Sequence, residues 1–459
     1  MDCYDTIAAI ATPIGIGGVA VIRVSGPNSI KIVDKCFHPS SKKLDFFSSP
    51  THRIYHGHIR EEKKFIDEVL VSIFRNPHSY TGEDCVEINC HGGLVVVQQV
   101  LTIVLSAGAR LAEPGEFTKR AFLNGKIDLT QAEAVVDLIE AKTERAVRAA
   151  SDQLSGGLSR AIGKIRDELL QTLAHVEAYI DFPDEDISPD INDRLRDRLI
   201  LAREHIVSML ETFREGYILR NGVRIAIAGR PNAGKSSLLN LLLKNDRAIV
   251  SDVPGTTRDT IEAEADIRGI PVIFIDTAGL RESEDIIEAE GVRRSLEWIE
   301  KADLTLWLAD GSIPFSNEDR EFLRRNGREN KVLFVLNKKD LGISVNLREI
   351  KDVEDVVSIS CQTGEGVEML KNLICARIGA ACSSYEQGIG MINTRHRNCL
   401  LKAKEAIDES LHFLSSGSSF IEFLASELHI AVNSTSELLG KTTTEDLLDS
   451  IFNQFCIGK

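Results

Sequence analysis

Val223-Arg-Ile-Ala-Ile-Ala228-Gly229-Arg-Pro-Asn-Ala-Gly234-Lys235-Ser236-Ser237-Leu238 is the stretch on which the fold reading turns. An apolar, β-branched run stops at a glycine, and five residues later Gly234-Lys235-Ser236 opens a helical pattern. Strand, glycine-rich turn and helix in that order make a phosphate cradle. The glycines let backbone amides wrap an anion, and the helix N-terminus adds positive potential. Lys235 is the expected partner of the β- and γ-phosphates, and the Ser236 hydroxyl is the expected ligand of Mg²⁺.

Downstream the pattern alternates strand and helix. Strands are expected at Arg224–Ala228, Val272–Ile275, Leu304–Ala309, Val332–Leu336 and Val356–Ile359, which is the signature of a doubly wound parallel sheet. Polar loops close two of these strands. Asp276-Thr277-Ala278-Gly279 is placed to hold the Mg²⁺ shell and to offer the Gly279 amide to a γ-phosphate. Asn337-Lys338-Lys339-Asp340 ends another strand. The Asp340 carboxylate can accept from the ring N–H and exocyclic amine of guanine, which adenine cannot supply. Asn337 is expected to support that loop. Ser360-Cys361-Gln362 stands where such loops commonly read Ser-Ala-Lys, so backbone contacts to the base can persist while a lysine stem is missing. Gly255-Thr256-Thr257-Arg258-Asp259 has the look of a switch segment, with Thr257 closing on Mg²⁺ when a γ-phosphate is bound. Together the four motifs specify a guanine-nucleotide domain.

The rest of the chain is organised around that domain. The 459 residues suggest about three domains. Residues 1–124 mix short strands (Val19–Val24, Val69–Phe74, Cys85–Asn89) with a helix at Gly93–Gly108, an α+β pattern. Residues 125–220 are rich in Ala, Leu, Glu and Arg with apolar residues at helical spacing, interrupted at Phe182-Pro183 and Ser188-Pro189. The nucleotide domain occupies 221–380, and 381–459 are helical again. The expected architecture is multidomain α/β and α+β, with the nucleotide domain inserted into one helical domain. Charge is 54 basic against 69 acidic residues, or −15, which excludes a generally basic nucleic-acid coat but not a local basic surface. Nine scattered cysteines lack zinc spacing and fit a reducing compartment. The longest apolar run, Leu94–Leu105, is interrupted by Gln98, Gln99 and Thr102 and is too short to span a bilayer. A cytoplasmic protein with no membrane segment is expected.

The residue after Gly279 is Leu280, where Ras-type enzymes place a water-orienting glutamine. An apolar side chain cannot do that work. The acids Glu282, Glu284, Asp285, Glu288 and Glu290 follow within reach.

These motifs, together with stretches outside the nucleotide domain, resemble the MnmE (TrmE) family of tRNA wobble-uridine modification GTPases. The stretches are Asp5-Thr-Ile-Ala-Ala9, Ala11-Thr-Pro13, Gly17-Gly18-Val19, Arg23-Val-Ser-Gly26, Ser79-Tyr-Thr-Gly-Glu-Asp84, His91-Gly-Gly93, Pro114-Gly-Glu-Phe-Thr-Lys-Arg-Ala-Phe-Leu-Asn124 and Phe455-Cys-Ile-Gly-Lys459. The likeness covers essentially the whole chain. It implies a Ras-like P-loop GTPase domain within a helical domain, preceded by an α+β domain that binds 5-formyl- or 5,10-methylene-tetrahydrofolate and dimerises.

It implies Glu288 as the catalytic glutamate. It extends the GTP contacts over Asn232, Ala233, Gly234, Lys235, Ser236, Ser237, Ser251, Asp252, Val253, Pro254, Gly255, Thr256, Thr257, Asp276, Thr277, Ala278, Gly279, Asn337, Lys338, Asp340, Ser360, Cys361 and Gln362. Mg²⁺ falls to Ser236 and Thr257. A potassium ion falls to Asn232 and to carbonyls near Ser251, Val253 and Thr256, where a monovalent cation can supply the charge that an arginine finger supplies elsewhere. Folate contacts fall to Arg23, Glu87, Lys126 and Lys459, a basic residue suiting the glutamate tail and a carboxylate the pterin N–H donors. Cys456 is implied as part of the modification site.

Two functional classes follow. The first is a homodimeric, potassium-dependent GTPase working on tRNA in a heterotetramer with an FAD-dependent MnmG-type protein. No dinucleotide fingerprint occurs in this chain, so a separate flavoprotein is consistent. The second is a regulatory RNA-binding GTPase of ribosome assembly without carbon chemistry. It leaves Arg23, Glu87 and Cys456 unexplained, and the helical tail carries no KH-type GXXG module.

Overall fold

The structure, a computed structural model, describes residues 5–41, 45–62, 64–181, 190–245, 262–276, 301–326, 331–345, 355–378, 391–416 and 421–459. It divides into two compact units, Met1–Val136 with Thr435–Lys459, and Asp137–Ser434.

In the first unit, seven strands form one sheet: β1 (Ile7–Ile10), β2 (Gly17–Ser25), β3 (Phe37–Pro39), β4 (Arg53–Glu61), β5 (Lys64–Phe74), β6 (Cys85–Gly92) and β7 (Arg110–Leu111), in spatial order β3-β4-β5-β6-β2-β1-β7. The helices α1 (Ser29–Asp34) and α2 (Leu94–Ser106) cover one face. Period-two alternation puts Ala20, Ile22 and Val24 of β2, Val86, Ile88 and Cys90 of β6, and Val69, Val71 and Ile73 of β5 into that core. Helix α2 meets them with Val97, Val100, Ile103 and Val104, spaced for one helix face. The opposite face carries rows set by strand register, among them Arg23, Glu87, Ser72 and Ile54.

The same unit contains α3 (Glu116–Leu123), the start of α4 (Leu129–Glu140) and the last helix of the chain, Glu445–Phe452. That last helix buries Leu448, Ile451 and Phe452, with Phe455 beyond it, against Leu129 and Ala132. The tail from Thr435 therefore belongs with the N-terminal sheet.

In the second unit the helices α5 (Glu144–Leu154), α6 (Gly157–Asp181), α7 (Asp190–Glu211) and α8 (Phe213–Asn221) lead into β8 (Val223–Ala228). Five further strands, β9 (Glu262–Ile267), β10 (Ile270–Asp276), β11 (Leu304–Asp310), β12 (Val332–Asn337) and β13 (Val356–Ser358), complete a sheet of order β13-β12-β11-β8-β10-β9. All pairings are parallel except the β9–β10 hairpin. Strands β11 and β12 are buried almost throughout, as expected where helices cover both faces. Helices α9 (Lys235–Asn245) and α11 (Val367–Ile378) pack one face through Leu238, Leu242, Leu370 and Ile374. Helix α10 (Asn317–Asn326) lies on the other, where Phe322 stacks on Trp307 with ring centroids 3.7 Å apart. Two long helices, α12 (Thr394–Ser416) and α13 (Ile421–Leu438), follow. Among the described residues no helix is long and apolar enough to cross a membrane.

Candidate nucleotide site and the charged N-terminal face

Strand β8 runs directly into the glycine-rich loop at the carboxyl edge of the parallel sheet, where open α/β folds bind ligands. Gly229 has φ +135°, and a Cβ there would collide with the Leu308 carbonyl. Gly234 has φ +101°, and its Cβ would collide with Asn337 Nδ2. Both positions therefore require glycine. Asn232 adopts φ +64° and is exposed, while Ala233 is buried beneath the loop. Lys235 Nζ donates to the Gly229 and Arg230 carbonyls, each at 2.8 Å, so the ammonium closes the loop into a ring. Ser236 and Ser237 sit exposed on the first turn of α9. Amides of a first helical turn lack intrahelical carbonyls, and here an ammonium stands beside them, which fits a phosphate chain.

Across the site, Asn337 is 3% exposed. Its Nδ2 donates to the Ala233 carbonyl at 2.8 Å, and its Oδ1 accepts the Cys361 amide at 3.1 Å. One amide group thus ties the phosphate loop to the loop after β13. Ser360, fully buried, donates to Asp340 Oδ1 at 2.6 Å, leaving the second carboxylate oxygen for another donor. Burial pushes the Cys361 thiol up to about 11, although the Asn337 hydrogen bond acts against that shift. That thiol is inert at neutral pH. Lys338 has φ +64° and pairs with Asp310, a residue that the sequence reading did not single out. Gln362 lies in the adjoining turn.

Strand β10 ends at Asp276, in register with Ile227 of β8, so its backbone reaches the same sheet edge. Ser251, Asp252, Val253, Pro254, Gly255, Thr256, Thr257, Thr277, Ala278, Gly279 and Glu288 lie outside the described residues.

In the first unit, Arg23 and Glu87 are cross-strand partners and form a salt bridge at 2.9 Å. The two side chains expected at opposite ends of a folate are thus paired with each other. The Arg23 guanidinium lies 5.0 Å from the Tyr80 ring centroid and 5.7 Å from that of Phe117. Lys126 Nζ donates to the Pro77 carbonyl at 3.0 Å. The Lys459 carbonyl accepts the Phe117 amide at 3.2 Å, and the Cys456 carbonyl accepts the Lys459 amide at 3.3 Å. The C-terminal turn is therefore seated at the start of α3, with the Cys456 thiol in an exposed residue.

The same unit holds an ion-pair network in which Asp5, Glu83, Glu116 and Arg120 belong to stretches singled out in the sequence, and Arg110 does not. Arg110 and Arg120 share Glu116 and Asp5, and Arg120 also meets Glu83. Burial alone would raise the Glu116 carboxyl. Arg110, the Glu113 amide and Arg120 outweigh it and hold the group below the ordinary carboxylate range.

Comparison with known proteins bears on both units. Residues 6–126 match the N-terminus of the GTP-binding protein TrmE, and residues 129–456 match the MnmE helical domain. The tRNA modification GTPase MnmE of Geobacter metallireducens is 45% identical over 100% of both chains. That of Geobacter sulfurreducens is 46% identical over 100% of both, and that of Bacillus velezensis 44% identical over 99% of this chain and 100% of the relative. With a phosphate loop bridged to a base loop in one unit, and full-length identity of 44–46% to these relatives across both, the chain belongs to the MnmE family of tRNA modification GTPases.

Proposed function

We propose that this protein hydrolyses GTP to GDP and phosphate with potassium as activator. With an FAD-dependent MnmG-type partner, it adds a carboxymethylaminomethyl or aminomethyl group to C5 of the wobble uridine, position 34, of certain tRNAs. The observation that carries the reading is the Asn337 bridge from Ala233 to Cys361, beside an Asp340 carboxylate oriented by Ser360. That pairing holds a phosphate cradle and a donor-reading carboxylate at a fixed separation, which is what selects a guanine nucleotide.

In this account Lys235 exchanges its loop carbonyls for phosphate oxygens. Ser236 and Thr257 hold Mg²⁺, Asn232 with carbonyls of Ser251, Val253 and Thr256 holds potassium, and Glu288 orients the attacking water. Arg23, Glu87, Lys126 and Lys459 hold a one-carbon tetrahydrofolate, which supplies the carbon, and Cys456 stands beside it. The Arg23–Glu87 pair supports this, since an acidic tail can take over the guanidinium while the carboxylate turns to ring N–H donors. The working form is a cytoplasmic homodimer assembled into a heterotetramer with the flavoprotein.

The test is nucleoside mass spectrometry of bulk tRNA from a strain lacking the gene. Modified wobble uridine should return with the wild-type gene and not with Lys235→Ala. Full restoration by Lys235→Ala would separate the modification from the nucleotide site and overturn the reading.

A further inference from the structure

Asp310 closes β11 in register with Asn337, the last residue of β12. Its carboxylate is fully engaged. Oδ2 accepts the Lys338 ammonium at 2.6 Å, and Oδ1 accepts the Ser312 amide at 3.0 Å and the Ser312 hydroxyl at 2.6 Å. The backbone follows the same path, with the Gly311 amide donating to the Asn337 carbonyl and the Ser344 amide donating to the Gly311 carbonyl, each at 2.8 Å. The segment after β11 is therefore laced to the base loop through both backbone and side chain.

Lys338 is the residue most in need of such support. Its φ of +64° is a left-handed conformation that a side chain with a Cβ keeps only where its surroundings impose it. It also stands two positions before Asp340. A loose ammonium on a four-carbon stem can reach a neighbouring carboxylate, and a neutralised Asp340 is a poorer acceptor for base N–H groups. In the structure the two carboxylates are divided instead, Asp310 taking Lys338 and Asp340 taking the Ser360 hydroxyl. The Asp310 side chain is 16% exposed and that of Lys338 33%, so this pair is better shielded from solvent than an ordinary surface ion pair. Burial alone would raise the Asp310 carboxyl; Lys338 and Ser312 outweigh it and hold the group below the usual carboxylate range. With Gln362 at the position where related loops place a second lysine, Lys338 is left as the lysine stem that can wall the base pocket.

We propose that Asp310 is a positioning residue for the guanine site: it fixes the Lys338 side chain as one wall of the base pocket and keeps its ammonium off the Asp340 carboxylate. The inference rests on the nucleotide reading given under Proposed function. It adds a specificity role for a residue that touches neither phosphate nor base.

The experiment uses full-length protein and compares Asp310→Asn, Asp310→Glu, Lys338→Met and the double variant Asp310→Asn/Lys338→Met. Fluorescent GDP titration and steady-state hydrolysis of GTP and ITP are read, ITP lacking the exocyclic amine that Asp340 contacts. Asp310→Asn should weaken GDP about 10-fold, the scale of a lost hydrogen bond to a charged group. It should raise KM more than it lowers kcat, and reduce the preference for GTP over ITP. Asp310→Glu should restore part of the preference. Lys338→Met removes the ammonium, so adding Asp310→Asn to it should cost little more. Wild-type affinity and wild-type base preference in Asp310→Asn would overturn the proposal, as would losses that simply add in the double variant. Should Asp310→Asn fail to fold by circular dichroism, the double variant read against Lys338→Met carries the test. A double variant that loses a further 10-fold in affinity over Lys338→Met would overturn the proposal equally. A wild-type protein with no preference for GTP over ATP would instead remove the nucleotide reading on which the proposal stands.

Discussion

Asn337 and Ala233 lie 104 residues apart in sequence, yet Asn337 Nδ2 sits 2.8 Å from the Ala233 carbonyl oxygen. The other end of the same side-chain amide holds the Cys361 amide. Three loops at the carboxyl edge of the sheet, after β8, β12 and β13, are thus fixed through one buried group.

Asn337→Ala should leave the Ala233 carbonyl and the Cys361 amide without those partners. Each unpaired buried group costs about 1–3 kcal/mol. We expect a lower urea midpoint in the absence of nucleotide, and a loss of guanine-nucleotide affinity beyond what the stability change explains. An unchanged midpoint with unchanged affinity would contradict the bridging role.

Ser360→Ala should act more locally. The Asp340 carboxylate loses the hydroxyl that orients it at 2.6 Å, while the surrounding strand stays packed. A single hydrogen bond contributes about 1 kcal/mol net, so GTP should bind roughly 5- to 10-fold more weakly with little change in melting temperature. Titration with fluorescent GDP reads this directly, and equal affinities would show that Asp340 does not need its neighbour.

Charge compensation at the phosphates gives a third expectation. Asn232 presents an exposed side chain on the phosphate loop at φ +64°, where a carbonyl oxygen can face a cation. GTP turnover should be faster in potassium than in sodium at equal ionic strength, an oxygen cage discriminating by size while screening stays constant. Asn232→Ala should erase the difference, and Glu288→Ala should keep nucleotide binding while losing about 10²- to 10⁴-fold in hydrolysis. Identical rates in the two salts would contradict potassium activation.

The N-terminal unit should show a carboxylate-dependent acid limb. Glu116 side-chain exposure is only 4%, and although burial alone would raise its carboxyl, two arginines hold it below the ordinary carboxylate range. A carboxyl depressed on folding stabilises the protein above its unfolded value, and that contribution disappears as pH falls through the lower folded value. Glu116→Gln should destabilise by about 1–3 kcal/mol at neutral pH, because Arg110 and Arg120 lose one charged acceptor while keeping Asp5. The gap between the two proteins should narrow in urea denaturation as pH falls below the ordinary carboxylate range. A gap constant down to pH 2 would mean that packing, not charge, sets the effect.

The parts of this architecture that were legible in sequence are those whose bonding partners are contiguous. The phosphate loop, the Asn337–Asp340 loop and the apolar strands behind them announce themselves because turn geometry and charge sit within a few residues. Long-range polar partners do not. Asp310 meets Lys338 across 28 residues, and Asp5 meets Arg110 across 105, and each looks like an ordinary acid where it stands. Strand β9, Glu262–Ile267, was missed because its inward side uses Ala265 rather than a β-branched residue alongside Ile267. Strand β4 was missed because its nine residues hold five charged or histidine side chains on an open sheet, with only Gly57 and Ile59 buried. The C-terminal turn against α3 depends on Phe452 and Phe455 finding Leu129, which no local pattern states.

The most direct test of the central claim is a titration of the full-length protein and of Asp340→Asn with GTP, ATP and XTP in the presence of Mg²⁺ and potassium. A carboxylate that reads two base donors predicts that the wild type binds GTP by orders of magnitude over ATP. Asp340→Asn, which turns an acceptor-only group into an amide, should lose GTP and gain XTP. Equal binding of ATP and GTP by the wild type, or an Asp340→Asn variant that keeps full preference for GTP, would contradict the account of this site.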